Sequence, residues 1–161
     1  MTPEHVHDPL GAFARELSSG GIVTQVLERR AGGRVRAEAV GSTSVTVDAA
    51  IRDLLGCAAN DVVAHRATRL MHGEVELSDA DLWYLPSRLT PEINHALTVG
   101  DTPFGRAIQS LAPTRRTLLC ERLWGGSFIL RVRAVVLDGE GRALALVDER
   151  YLPVALGRVQ T

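Results

Sequence analysis

The chain has little of what most exported or cofactor-bound proteins carry. Only two cysteines occur in 161 residues, Cys57 and Cys120. They lie far apart and outside any CxxC pair, which leaves no disulfide framework and no closed zinc site, and fits a reducing cytoplasm. No apolar run approaches the roughly 18 to 20 residues of a membrane span. The opening MTPEHVHDPL lacks the basic and apolar blocks of a signal peptide, so the expectation is a soluble, cytoplasmic protein with no membrane partner. An excess of one charge is also missing. The 18 basic side chains nearly balance 19 acidic ones, and the pI near 6.5 gives no field strong enough to gather a phosphate backbone. Nucleic acid is therefore not an expected partner.

The motif inventory is just as sparse. The sequence holds no GxGxxG, no P-loop GxxxxGK, no HExxH, and no GxSxG between a strand and a helix. Nucleotide-binding, zinc-protease and serine-hydrolase readings lose their usual support. The histidines, His5, His7, His65, His72 and His95, form no tight ligand pattern, so neither a metal nor another cofactor is expected.

What is present suits one well-filled core. A length of 161 residues with 45% hydrophobic content predicts a single domain over residues 1–161, with residues 1–8 as a mobile N-terminus. Leu10, Phe13, Ala14 and Leu17 recur at helical spacing until Ser18-Ser19-Gly20-Gly21 stops them. Ile22 to Arg30 and Arg34 to Val40, separated by Ala31-Gly32-Gly33, read as a hairpin. Val45 to Gly56 reads as a helix. Val62 to Met71 and Val75 to Leu85 read as paired strands, with Ser78 to Asp81 as a bulge or loop. Thr90-Pro91 and Thr102-Pro103 each set a capping hydroxyl before a proline, predicting helices over Pro91 to Thr98 and Pro103 to Leu111. Three strands follow, Thr117 to Leu123, Phe128 to Leu137 and Arg142 to Leu152, the last two joined through Asp138-Gly139-Glu140-Gly141. Adjacent strands with short turns predict an α+β fold, an antiparallel sheet carrying helices.

Charges inside apolar strands are the informative ones. Period-2 alternation puts Arg66 on one face with Val62, Ala64, Thr68 and Leu70, and sends His65 and Arg69 to the other. It likewise groups Glu149 with Ala143, Ala145, Val147 and Tyr151. An inward Arg66 and an inward Glu149 among small residues would line a cavity for a compact anion. The same pattern also fits a buried Arg66–Glu149 ion pair, or two edge charges reaching water if a bulge shifts the phase. At Gly100-Asp101-Thr102-Pro103-Phe104-Gly105-Arg106, the exposed amides of Phe104 and Gly105 offer donors to a carboxylate, although many such helix starts are ordinary caps.

Together these segments resemble the chorismate pyruvate-lyase (4-hydroxybenzoate synthase) family. The run Thr102-Pro103-Phe104-Gly105-Arg106 is similar to the family's Thr-Pro-Leu-Gly-Arg helix start, which gives Phe104 the backbone contact to the ligand. Glu149, followed after two residues by Leu152-Pro153, is similar to the family's active-site glutamate. Arg66 lies before Pro86 at nearly the spacing of the ligand-binding arginine, with Arg69 as the fallback. Leu123-Trp124-Gly125 and Ile22-Val23-Thr24 add weaker matches, the second placing Val23 where the first strand closes over the ligand. Asp81-Leu82 stands where relatives show Gly-Arg.

The resemblance implies a six-stranded antiparallel sheet with flanking helices, an enclosed site, and cofactor-independent removal of pyruvate from chorismate to leave 4-hydroxybenzoate. Arg66 would hold a carboxylate and Glu149 would act at the oxygenated end of the ring, the two catalytic positions. Phe104, Gly105, Val23 and Asp81 would bind substrate. Alternatives are the same elimination on 4-amino-4-deoxychorismate or another enolpyruvyl acid, and a non-catalytic sensor of aromatic acids.

Overall fold

The computed structural model describes residues 8–19, 22–40 and 47–157. Met1 to His7, most of the expected mobile N-terminus and including His5 and His7, lie outside the described residues, as do Val45 and Thr46 of the expected 45–56 helix. Asp8 is described and caps the first helix, α1 (Pro9–Leu17), its carboxylate accepting from the Gly11 amide at 3.0 Å.

The expected hairpin from Ile22 to Val40 is not formed. Val23–Ala31 is a helix, α2, and only Arg36–Ala39 is a strand, β1. The β-branched start Ile22-Val23-Thr24 carries a strand signal, yet Val23, Val26, Leu27 and Ala31 fall at i, i+3, i+4 and i+8. That spacing lets one helical face bury itself against Phe13 and Leu17, so tertiary packing overrides local propensity. Gly32 then ends the helix in the left-handed region (φ 78°), donating its amide to the Glu28 carbonyl at 2.9 Å. The Gly-Gly pair is a helix stop rather than a hairpin turn.

The remaining elements run α3 (Ala49–Leu55), β2 (Ala64–His72), β3 (Val75–Tyr84), α4 (Pro91–Val99), α5 (Phe104–Ala107), β4 (Thr114–Arg122), β5 (Leu130–Leu137) and β6 (Ala143–Tyr151). Thr90 caps α4 as the sequence predicts, its hydroxyl accepting from the Ile93 amide at 3.2 Å with Pro91 as the first helical residue. The next helix is shorter than expected. Pro103 is its N-cap, Phe104 its first residue, and the chain tightens into a 3₁₀ turn over Gln109–Leu111. The expected interruption at Ser78 to Asp81 reduces to a bulge at its edge: β3 runs unbroken from Val75 to Tyr84, and where Leu70 pairs with Ser78 but Met71 with Glu76, Leu77 of β3 is the extra residue.

The strands form one six-stranded antiparallel sheet in the order β1-β2-β3-β6-β5-β4, the chorismate lyase-like α+β architecture expected from the sequence. One face carries two apolar clusters. Phe13, Leu17 and Leu27 pack on Leu77, Val132 and Tyr151, while Ile93, Leu97 and Ile108 pack on Leu82, Val136 and Val147. Each fully buried side chain of this size contributes roughly 1.5–3 kcal/mol relative to exposure. The opposite face is covered at one end by α3, through Ile51 and Leu55 on Trp83, Val135 and Leu146. Elsewhere that face bears ion pairs, among them Arg131–Asp148 at 2.8 Å and Arg150–Asp79 at 2.7 Å. No described helix is long and apolar enough to cross a membrane.

Candidate functional site

A cavity opens between the two apolar clusters, on the helix-bearing face of the sheet. Its floor is the sheet: Arg66, Thr68 and Leu70 from β2, Ser78, Ala80 and Leu82 from β3, Val147 and Glu149 from β6, Val136 from β5 and Arg115 from β4. Ile22, Val23 and Thr24 at the start of α2, with Pro103, Phe104 and Gly105 at the start of α5, also line it. Its atom-free space, counting solvent at the open mouth, is about 740 Å³.

Alternation explains the floor. Leu82 pairs with Arg66 on one side and Val147 on the other, and Ala80 pairs with Thr68 and Glu149, so Arg66 and Glu149 occupy neighbouring rows of the same face. Strand β3 separates them, which sets their backbones roughly 10 Å apart. The small side chain of Ala80 leaves room between.

The two charges have different partners. Arg66 donates through both terminal nitrogens to the Thr102 carbonyl, each at 3.2 Å, and no carboxylate pairs with it among the described residues. Burial pulls its guanidinium below its ordinary pKa, with only a partial offset from Tyr84. Glu149 is held by Arg115 in a bidentate pair, at 2.6 Å and 3.2 Å, with side-chain exposures of 10% and 8%. Desolvation opposes the charge on Arg115, but the Glu149 carboxylate more than compensates and holds the guanidinium proton more tightly. The buried Arg66–Glu149 pair, one reading of the sequence, is therefore not made.

Beside this pair the Tyr151 hydroxyl is fully buried, and burial, then the Glu149 charge, push its pKa well above the ordinary value. Arg115 Nε, Thr117 Oγ1 and Tyr151 Oη are buried and find no hydrogen-bond partner among the described residues. Unfilled polar atoms at one place in a native core are a place for water or ligand atoms.

Of the residues selected from the sequence, Arg66, Glu149, Phe104, Gly105 and Val23 all line this cavity. Val23 does so from the first turn of a helix instead of a strand. Asp81 does not line it. Lying between Ala80 and Leu82, whose side chains line the cavity, it faces the other side of the sheet, where it meets His65 Nε2 at 2.9 Å. Arg69, the fallback for Arg66, also sits on that opposite face, 3.7 Å from Glu76.

Sequence reasoning missed Arg115. It began the strand at Thr117, whereas β4 starts at Thr114. Arg115 precedes Thr117 by two and therefore shares its face, so an earlier strand start was the available signal.

The α2–α5 side of the cavity is tied shut from outside. Arg106 pairs with Glu28 at 2.7 Å and donates to the Val35 carbonyl at 3.2 Å, and the Val35 amide donates to the same Glu28 carboxylate at 2.8 Å. Gly105 sits at this contact. A Cβ there would stand 3.1 Å from Ile22 Cγ2, so only a glycine lets α5 come this close without a shift.

Chemically, the described residues of the lining offer one carboxylate, two guanidinium groups, three aliphatic hydroxyls and a mostly apolar wall, with no histidine or cysteine among them. All 18 basic residues of the chain are arginine, whose planar fork suits a carboxylate. Among the described residues no three His, Cys, Asp or Glu side chains converge to hold a metal ion.

No family model matches the chain. A curated relative, the uncharacterized protein y4mC of Sinorhizobium fredii, is 40% identical over 93 residues, covering 58% of this chain. The chain spans only 39% of that relative's length. Among solved structures, the effector domain of PhnF from Mycobacterium smegmatis aligns with a TM-score of 0.61 at 13% identity, over 83% of this chain and 89% of that one. The ligand-binding domain of a candidate GntR-family transcriptional regulator from Bordetella bronchiseptica aligns with a TM-score of 0.53 at 17% identity, over 75% of this chain and 84% of that one. A GntR-family regulator from Bacillus cereus aligns at 0.53 and 17%, over 79% and 96%. At these identities the likeness is one of fold: this chain has the chorismate lyase-like fold of regulator ligand-binding domains.

Proposed function

We propose that this chain is one chorismate lyase-like module that binds a compact organic acid and works as a sensor, without turning its ligand over. The observation that carries this reading is Arg66. A guanidinium half out of water, facing an apolar cavity and bonded among the described residues to a neutral carbonyl, is costly to keep and is relieved by an incoming anion. The solved structures of like fold include domains described as effector and ligand-binding domains, which supports the same reading. Glu149, the single carboxylate that the described residues bring to the lining, already accepts from Arg115 through both oxygens and is poorly placed to deliver a proton. Two free thiols, Cys57 and Cys120, fit a cytoplasmic setting.

A second reading, elimination of pyruvate from chorismate or an amino analogue, rests on Arg66, Glu149 and the Phe104 turn lining one cavity. One assay separates the two. Incubation with chorismate, with pyruvate and 4-hydroxybenzoate both quantified, should give no release above the uncatalysed background, while calorimetry detects binding of 4-hydroxybenzoate. Equal, enzyme-dependent release of both products would overturn the sensor reading in favour of the lyase.

A further inference from the structure

We infer that the Arg115–Glu149 pair is a charge selector that restricts the cavity to monoanions, so that the ligand is a monocarboxylate with an uncharged body and not a diacid. The inference rests on the reading that Arg66 receives the ligand's acid group. Among the described residues three charged side chains line the cavity: Arg66 and Arg115 are positive and Glu149 is negative. Their sum is one positive charge. A monoanion brings the filled site to neutrality, whereas a dianion leaves one uncompensated negative charge where water is scarce.

Geometry makes the rule strict. Arg115 is masked, because both of its terminal nitrogens are engaged by Glu149 and the pair is nearly excluded from solvent. A second ligand carboxylate would have to displace Glu149 from Arg115 or lie against it, and like charges placed together in a dry site are strongly disfavoured. The surrounding wall adds no further cation among the described residues, since Leu82, Val136 and Val147 are apolar and Thr24, Thr68 and Ser78 offer only neutral hydroxyls. What the masked end accepts instead is a neutral group, for which Arg115 Nε stands without an acceptor. The same pair therefore rejects a charge while tolerating polarity.

The test uses two acids of nearly the same shape. 4-Nitrobenzoate carries one charge and terephthalate two, because a nitro group replaces the second carboxylate. Calorimetric titration of the intact protein at neutral pH should show 4-nitrobenzoate binding at least 10-fold tighter. Glu149→Gln raises the site to two positive charges, and the preference should shift toward terephthalate by 10-fold or more.

Equal or tighter binding of terephthalate by the unmodified protein overturns the selector. So does a Glu149→Gln protein, folded by its melting curve, whose preference is unchanged. Should Glu149→Gln fail to fold, the two titrations of the unmodified protein still decide. If 4-nitrobenzoate binds and Arg66→Gln abolishes it without any discrimination between the acids, the selector fails while the acid-binding reading stands. If neither acid binds, both fall.

Discussion

Arg66 and Thr102 meet as a fork on one oxygen: both terminal guanidinium nitrogens donate to the Thr102 carbonyl at 3.2 Å. This contact joins the first part of β2 to the turn that starts α5. Asp101, the preceding residue, accepts from the Ala37 amide of β1 at 2.7 Å, so the turn is fixed at two adjacent carbonyls. An acid entering the cavity competes for a guanidinium that the fold has engaged only weakly, since a neutral carbonyl is a poorer partner than a carboxylate.

Arg66→Gln should weaken acid binding by about 2–5 kcal/mol, the range for losing one partner of a buried charge-assisted pair. Its melting temperature should hold or rise, because an unpaired buried cation disappears. Arg69→Gln, on the opposite face, should bind normally. Calorimetry on both proteins checks this, and a binding defect confined to Arg69→Gln would show that the cavity does not use the face assigned to it.

Arg115→Gln leaves Glu149 buried without its cation and should destabilise the fold by about 3–5 kcal/mol. The double change Arg115→Met with Glu149→Met should recover most of that loss, since apolar side chains replace a desolvated pair. Urea unfolding of the single and double variants is the measurement. A double variant no more stable than the single would mean that the pair itself, not the orphaned charge, holds the region.

Tyr151 contributes to the loss of stability at alkaline pH. Its pKa is raised in the folded protein by burial and by Glu149, so its contribution is complete below the ordinary value of 10.0 and is lost as pH rises through the higher folded value. Tyr151→Phe should remove that alkaline loss. At neutral pH the change should be neutral or stabilising by up to about 1 kcal/mol, because the hydroxyl lacks a partner. Melting temperatures from pH 7 to 11 would test it, and a clear destabilisation at pH 7 would reveal a bonded hydroxyl.

Gly105→Val should lower acid affinity at least as much as it lowers stability. Its Cβ alone stands 3.1 Å from Ile22 Cγ2, and the added methyl groups must push α5 away from α2 or fill the cavity both residues line. Paired binding and melting measurements read the two effects, and unchanged affinity would place the ligand away from α5.

The sequence by itself determined the elements whose cause is local. A side chain in a strand has two faces to choose from, so alternation alone put Arg66 and Glu149 on one side and Arg69 on the other, and the sheet kept that arrangement. The Thr90-Pro91 cap and the Asp138-to-Gly141 turn are likewise short-range chemistry. Val23–Ala31 was a different matter. Its residues satisfy a strand by composition and a helix by spacing, and only the Phe13 and Leu17 face it covers selects the helix. Asp81 was assigned from a matched position, but the continuous register of β3 turns it away from the cavity. The decisive contact, Arg115 with Glu149, joins residues 34 apart across an intervening strand. Arg115 alone reads as an ordinary charge, and which cation neutralises Glu149 is set by the order of strands in the sheet, which no local pattern encodes.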